Sequence, residues 1–590
     1  MGTLLPALAA AMLAMPGVAA AKAKAATEPA PFGHACKAQD GVRFCPTETL
    51  EERVPTFDGV PLDVDVTLPP TGKGPFPTIV MLHGWEGNKT SFESSTPQGD
   101  GNETYDYNNV YYAQHGYAVL NYSARGWGNS CGTPESRAAA GCAEGWIRLA
   151  DTRYEARDTQ YLLGLLADEK LVRPRSIGVT GISYGGGQSI ELAYLKNRVR
   201  LPGGEFAPWT SPSGKKLEVK AAFPRWPWSD LLDALEPNGR FLDSEIAPPG
   251  QSSEPLGVEI QSYVSGLLAA GEAEGYVAPP GADAEADLTK WFAAINAGEP
   301  ANAEDEAIAK QIYDYHQGYG LGGKPAAMLL ESGWTDDLFP VEQSLRAYNA
   351  ARGEKAYAAL LLGDLGHSPA ANKQNTDLDF NQQAAAFFAA KLQHSGKAPA
   401  SGSVTAYTQT CPVTAPGAGP YTARTFAKLA TGKVTFGGAP AQTFTSAGGN
   451  PALAAELDPI AGTSEACKSV TAETEPDTAT YTTTSNGFTL MGLPTITAHV
   501  ATTGPFGEIA ARLWDVLPSG EQRLISRGIY RLGENETGTI SFQLHGNGYE
   551  FAAGDTVKLE LLGRDAPYYR ASNGVFSVEV SDLTASLPTA

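Results

Sequence analysis

Residues 181–185 read Gly-Ile-Ser-Tyr-Gly, and Gly186 and Gly187 follow. A serine in G-x-S-x-G, between a buried-type strand and a helix, is held on a tight corner with its hydroxyl exposed. Such a hydroxyl attacks a carbonyl only if an imidazole takes its proton and a carboxylate orients that imidazole. The chain has only eight histidines, and His367, in LLLGDLGHSPA, directly follows an apolar run. Asp336, in LLESGWTDDLFP, follows the preceding run, one helix and one strand earlier. Ser183, Asp336 and His367 are therefore expected as nucleophile, orienting acid and general base. The G-x-x-D-x-x-x-P frame from Gly333 to Pro340 favours Asp336, with its neighbour Asp337 as the alternative. Asp364, in the short loop before His367, is the third acid considered.

Acyl transfer also needs two donors for the oxyanion. The expected pair is the backbone N–H of Tyr184, next after the serine, and that of Trp85 in IVMLHGWEGNK, with the Trp85 side chain as pocket wall the alternative. His83 in the same stretch reads as a structural residue under the loop. Trp226 and Trp228 in AAFPRWPWSDLL are candidates for an acyl pocket, with ordinary packing as the alternative. Arg125 and the YEARD residues Glu155, Arg157 and Asp158 read as a polar brace or a solvated helix face, not as chemistry.

Several elements must bring these residues together. FPTIVMLHGW, YAVLNYSARG, SIGVTG, KPAAMLLESGW and YAALLLGDLGH are continuous apolar runs of strand length, as expected for strands buried on both faces. Helical patterns lie between them: YEARDTQYLLGLLADE has Leu162, Leu163 and Leu166 on one face. That alternation predicts an α/β fold with a mostly parallel sheet, whose carboxyl edge gathers the loops that carry the site. Residues 27–239 and 321–397 form the two parts of this unit. Residues 240–320 read as a helical cap inserted between two strands; within them, 271–310 carry nine acidic and two basic side chains. From about 400 to 590 the chain turns Thr-, Gly- and Pro-rich. Period-two runs such as Ile509, Ala511, Leu513 and Val557, Leu559, Leu561 predict an all-β sandwich.

Residues 1–26 begin with an apolar run from Leu4 to Met15, too short to span a bilayer comfortably and followed by small residues, which reads as a cleaved secretion signal. Six cysteines fall into three pairs along the chain, so Cys36–Cys45, Cys131–Cys142 and Cys411–Cys467 are expected as disulfides in an oxidising compartment. Net charge is −22, which argues against a nucleic-acid partner. No Cys/His cluster has zinc spacing, and no metal or cofactor is expected. No membrane association is expected after signal cleavage; self-association is left open.

GYAVLNYSARGWGNS, YEARDTQYLLGLL, GISYGGG, SGWTDDLFP and LGDLGH together resemble the family of X-prolyl dipeptidyl-peptidases, cocaine esterase and α-amino-acid ester hydrolases. LPTITAHVATTGPFGEIAARLWDVLPSGEQRLISRGIYRL resembles the jelly-roll C-terminal domain of the same group. The resemblance implies an α/β-hydrolase fold with a helical cap and a jelly roll that helps close the cleft, and Ser183, Asp336 and His367 as its triad. The chain departs from the family at HGWEG, where cocaine-esterase-like members carry a tyrosine whose hydroxyl is the second oxyanion donor.

The expected function is a secreted serine hydrolase cleaving an ester or a peptide or amide bond, most like an X-Pro dipeptidyl-peptidase. That reading needs a carboxylate to hold a free amine, which the acidic cap could supply. The alternatives are a carboxylesterase or acylase, which needs only an apolar acyl pocket, and a non-catalytic carbohydrate-binding protein.

Overall fold

The computed structural model describes residues 1–2, 29–248, 255–462 and 465–590. The expected secretion signal falls almost wholly outside the described residues. Among the described residues, eleven strands form one large sheet. Its central part comprises β1 (Val64–Leu68), β2 (Phe76–Leu82), β3 (Ala118–Tyr122), β4 (Val172–Ile182), β5 (Val219–Arg225), β6 (Ala327–Gly333) and β7 (Ala358–Gly363). The spatial order is β1-β3-β2-β4-β5-β6-β7. Pairing is parallel from β3 through β7 and antiparallel between β1 and β3.

The apolar runs become central strands because both faces are covered. On β2, Ile79 and Met81 face a core that includes Phe387 and Phe388, while Val80 and Leu82 face one that includes Leu162 and Ile190. Successive residues of a strand point to opposite faces, so an unbroken apolar run suits burial on two sides. Helices α1 (Glu155–Asp168) and α2 (Tyr184–Leu195) flank β4.

Between β5 and β6 the chain builds three cap helices, α3 (Gln261–Ala273), α4 (Leu288–Ala297) and α5 (Ala303–Tyr315). The sequence places the second unit from about residue 400, but the large sheet runs past that point. β8 (Val404–Thr408) pairs parallel with β7, and β9 (Ala418–Ala423) pairs antiparallel with β8. β9 lies at the sheet edge, largely exposed, and so carries the Thr- and Gly-rich texture of the segment that follows.

Ten further strands, from Gly432 to Thr589, pair antiparallel around a separate core that includes Val500, Leu513, Phe551 and Val580. Ile509, Ala511 and Leu513 face this core, as their period-two spacing predicts. Their strand, Glu508–Val516, is nevertheless buried on both faces. Ala510, Ile529, Leu562, Tyr568 and Tyr569 join the core of the first unit, so the outer face of the sandwich is docked onto it.

All three expected disulfides are present, Cys36–Cys45, Cys131–Cys142 and Cys411–Cys467. No helix among the described residues is long and apolar enough to cross a membrane. Nor do the described residues contain a cluster of three or more His, Cys, Asp or Glu that could hold a metal.

Candidate active site

Ser183 sits at the junction of β4 and α2, with φ 59° and ψ −113°. That backbone is strained for a residue with a Cβ, and it is tolerated here because the surroundings fix it. Gly185 makes the corner possible: a Cβ there would overlap the backbone of Leu82 at the end of β2. α2 can therefore start directly against the sheet edge.

β4, β6 and β7 run parallel, so the residues that follow them emerge on one edge. His367 Nε2 lies 2.7 Å from Ser183 Oγ, and His367 Nδ1 lies 2.8 Å from Asp336 Oδ2. The same Asp336 oxygen accepts from the His367 backbone N–H at 3.2 Å. Asp336 Oδ1 accepts from the N–H groups of Leu338 and Phe339 at 3.0 and 2.9 Å. A fully paired carboxylate on Nδ1 favours the tautomer whose Nε2 is free to accept the serine proton. Gly366, with φ 116°, turns the chain so that His367 can reach back; a Cβ there would collide with the Asp336 carboxylate.

The two acids weighed against Asp336 are engaged elsewhere. Asp337 faces Arg527 of the sandwich. Asp364 accepts from Thr335 Oγ1 at 2.6 Å and from the Ala371 N–H at 3.0 Å, which ties the acid loop to the histidine loop. His83 is buried, with Nδ1 against the Gly84 carbonyl and Nε2 accepting from the Ala124 N–H. Burial pushes its pKa down to about 4, so it stays a neutral structural residue. Arg125 donates to both carboxylate oxygens of Asp158 at 2.7 Å and to Asp58 at 2.9 Å. Glu155 accepts from the Tyr184 hydroxyl at 2.8 Å and from the Arg148 N–H at 2.8 Å. Arg157 lies over the Phe57 ring. The YEARD residues thus form a brace, and Glu155 holds the side chain of the residue next to the serine.

Tyr184 opens α2, where the first N–H groups of a helix have no intrahelical acceptor. Trp85 follows Gly84, whose position is so close that a Cβ there would lie 3.6 Å from that of Ser183. The Trp85 ring packs edge-on to Trp127, 4.9 Å between centroids, and also lines the adjoining cavity. Trp226 meets His367 edge to face at 6.0 Å, and Phe339 meets it at 5.2 Å. Trp226 and Trp228 both line the same cavity, of about 400 Å³, which opens from Ser183 and His367.

Sequence reasoning did not find Tyr263, whose hydroxyl on α3 donates to the Ser368 carbonyl. Nor did it find Tyr568 of the sandwich, whose hydroxyl donates to the Asp337 carbonyl at 2.7 Å. Neither residue lies near a motif, and only the docking of cap and sandwich brings them to the site.

The X-Pro dipeptidyl-peptidase (S15 family) domain matches residues 58–199, and the X-Pro dipeptidyl-peptidase C-terminal non-catalytic domain matches residues 345–581. The chain belongs to this family. Its fold is similar to that of an α-amino acid ester hydrolase (TM-score 0.57, 14% identity, covering 98% of this chain and 100% of that one). A CocE/NonD family hydrolase from Staphylococcus aureus gives 0.55 and 12%, covering 93% and 94% of the two chains. An aminopeptidase from a marine sediment Thaumarchaeota archaeon gives 0.54 and 13%, covering 97% and 99%. No curated protein matches the sequence. Family membership makes the chain a serine hydrolase, X-Pro dipeptidyl-peptidase-like, and the α/β-hydrolase and jelly-roll halves are those of the S15 architecture.

Proposed function

We infer that this serine hydrolase cleaves an ester or a peptide or amide bond through an acyl-enzyme on Ser183. The observation that carries the reading is the continuous relay from Ser183 Oγ through His367 to Asp336, at 2.7 and 2.8 Å, at the mouth of a cavity. In the first step the serine oxygen forms a bond to the carbonyl carbon while His367 Nε2 takes its proton. The N–H groups of Tyr184 and Trp85 receive the oxyanion, and Asp336 stabilises the imidazolium. The tetrahedral intermediate collapses, the bond to the leaving alcohol or amine breaks, and His367 returns the proton to it. Water then attacks the acyl-serine with His367 again as base, releasing the acid and restoring the serine.

A dipeptidyl-peptidase must hold the free amine of its substrate. None of the nine acidic residues between 271 and 310 lines the cavity. Asp283 pairs with Arg148, Glu285 with Arg153, Glu299 with Arg531 and Arg570, and Glu304 with Lys290. This favours the second reading, a carboxylesterase or acylase. Three disulfides suit an oxidising compartment and support secretion to the periplasm or the medium. The partner is a small ester or peptide substrate, with no nucleic acid or membrane required.

The test is labelling of the folded protein by a fluorophosphonate, with mapping of the labelled residue and Ser183→Ala as control. Labelling absent from the wild type, or persisting in Ser183→Ala, would overturn the reading. Comparing Ala-Pro-p-nitroanilide with a p-nitrophenyl ester separates the peptidase from the esterase.

A further inference from the structure

The cavity beside Ser183 is roofed by the cap. Val264, Leu267 and Leu268 come from α3, Trp291, Phe292 and Ile295 from α4, and Ile312 from α5. Each of these helices turns apolar residues inward, and none of their acidic residues lines the cavity; Glu304 and Asp314 form ion pairs, and Asp305 completes the capping box that opens α5. The floor is also apolar, made by Trp226, Trp228 and Leu231. Apart from Ser183, Tyr184, His367 and the indole N–H groups of the tryptophans, the one polar or charged side chain on the lining is Glu86, which is itself exposed to solvent. The buried Glu155, whose Oε1 accepts from the Tyr184 hydroxyl and the Arg148 N–H, does not line the cavity.

A charged ammonium placed in such a cavity would lose its hydration and find only aromatic faces and the solvent-exposed Glu86 carboxylate in return, with no buried carboxylate on the lining to pair with it. An aliphatic chain would shed ordered water and meet a lining that is almost all carbon. The cavity lies between Ser183 and the cap helices, within reach of an acyl group carried on the serine oxygen.

We propose that the acyl subsite takes an extended, uncharged aliphatic chain, so that the preferred substrates are esters or amides of medium-chain carboxylic acids and not substrates with a free α-amine. The proposal rests on the acyl-enzyme reading above and adds the substrate class to it. The cap helices then act as the sieve: α3 and α4 set how long a chain can enter.

The experiment measures kcat/KM for p-nitrophenyl acetate, butyrate and octanoate, each below its micellar concentration, and for Ala-Pro-p-nitroanilide. These esters share a leaving group and nearly the same intrinsic reactivity, so differences report chain burial. The expected result is a rise of about fourfold per added methylene until the cavity is filled, with the dipeptide anilide far below octanoate. Leu267→Trp, which fills the cavity from α3, is expected to lower the octanoate-to-acetate ratio by about tenfold or more. Leu268→Phe, a smaller change, is expected to move the ratio in the same direction and serves if the tryptophan variant does not fold.

A ratio near one in the wild type, or Ala-Pro-p-nitroanilide preferred over octanoate, overturns the proposal. If the fluorophosphonate still labels Ser183 in that case, the acyl-enzyme reading stands and only the substrate class falls. If neither labelling nor turnover of any ester is seen, both fall.

Discussion

Arg527 of the sandwich forms an ion pair with Asp337, the immediate neighbour of Asp336, at 3.4 Å from Nε to Oδ2. The Arg527 guanidinium lies over the Tyr568 ring, and the Tyr568 hydroxyl donates to the Asp337 carbonyl. The unit described as non-catalytic in the family thus grips the loop that carries the orienting carboxylate. The histidine loop is held from the same side: Ser368 Oγ donates to the Pro459 carbonyl, and the Ala466 N–H donates to that of Pro369.

If that grip positions Asp336, Tyr568→Phe removes one hydrogen bond, worth about 1 kcal/mol. The expected outcome is a several-fold drop in kcat for a short ester, with KM nearly unchanged. Arg527→Ala leaves the half-buried Asp337 carboxylate without its Arg527 partner, so a loss of Tm is expected as well. Thermal melts alongside steady-state kinetics separate the two effects. A Tyr568→Phe enzyme with wild-type kcat would remove the sandwich from the positioning of the acid.

Asp336 and Asp337 are adjacent but face different partners, and their amides should therefore behave differently. Asp336→Asn is expected to lower kcat by about 10³- to 10⁴-fold, since the amide can hold the imidazole in the wrong tautomer. Asp337→Asn touches only the clamp and should cost no more than about tenfold. Reversal of that order in steady-state assays would reassign the acid.

The serine corner tolerates no side chain at Gly185, because a Cβ would meet the Leu82 backbone. Gly185→Ala must push α2 from the sheet edge, at a cost of about 1–3 kcal/mol or more. The expected result is a lower Tm and slower fluorophosphonate labelling in the fraction that folds.

Buried carboxylates make stability fall with rising pH. Burial raises Glu259 from its ordinary 4.5 to about 7, with Arg570 opposing, and neither of its carboxylate oxygens has a hydrogen-bond partner. Burial likewise raises Glu155 to about 7. In the unfolded chain these groups lose their protons near pH 4.5, whereas in the folded chain they keep them to about 7. The unfolded state therefore binds fewer protons in this window, and stability declines as pH rises from about 4.5 through 7. Differential scanning calorimetry should give a higher Tm at pH 5 than at pH 8, and Glu259→Gln should flatten the slope. An unchanged slope in the variant would show that Glu259 is ionised throughout.

Much of the site was legible in the sequence because its parts follow local rules. A G-x-S-x-G corner must lie between strand and helix, and a parallel sheet must deliver the ends of β4, β6 and β7 to one edge. Ser183, Asp336 and His367 could therefore be named from position alone. For the YEARD residues the sequence left a polar brace and a solvated helix face open, because only the fold decides whether charged residues at helical spacing are buried against partners.

Other features depended on contacts between residues far apart in the chain. The acidic run from 271 to 310 suggests a ligand for an amine, yet its carboxylates cap helices, pair with arginines and lysines, or face away from the cavity. Composition counts charges but does not say which face of a helix will dock, and docking turned the leucines of α3 inward. The hold of Arg527 and Tyr568 on the acid loop was likewise invisible. A strand's own alternation marks one buried face; the second, with Ala510 and Leu562, is buried only because another unit covers it. The sequence by itself determined the chemistry of the site, because reactive groups and backbone corners are local. The tertiary structure decided what the cavity accepts and what holds the acid in place, because apolar burial and ion pairing depend on which surfaces meet.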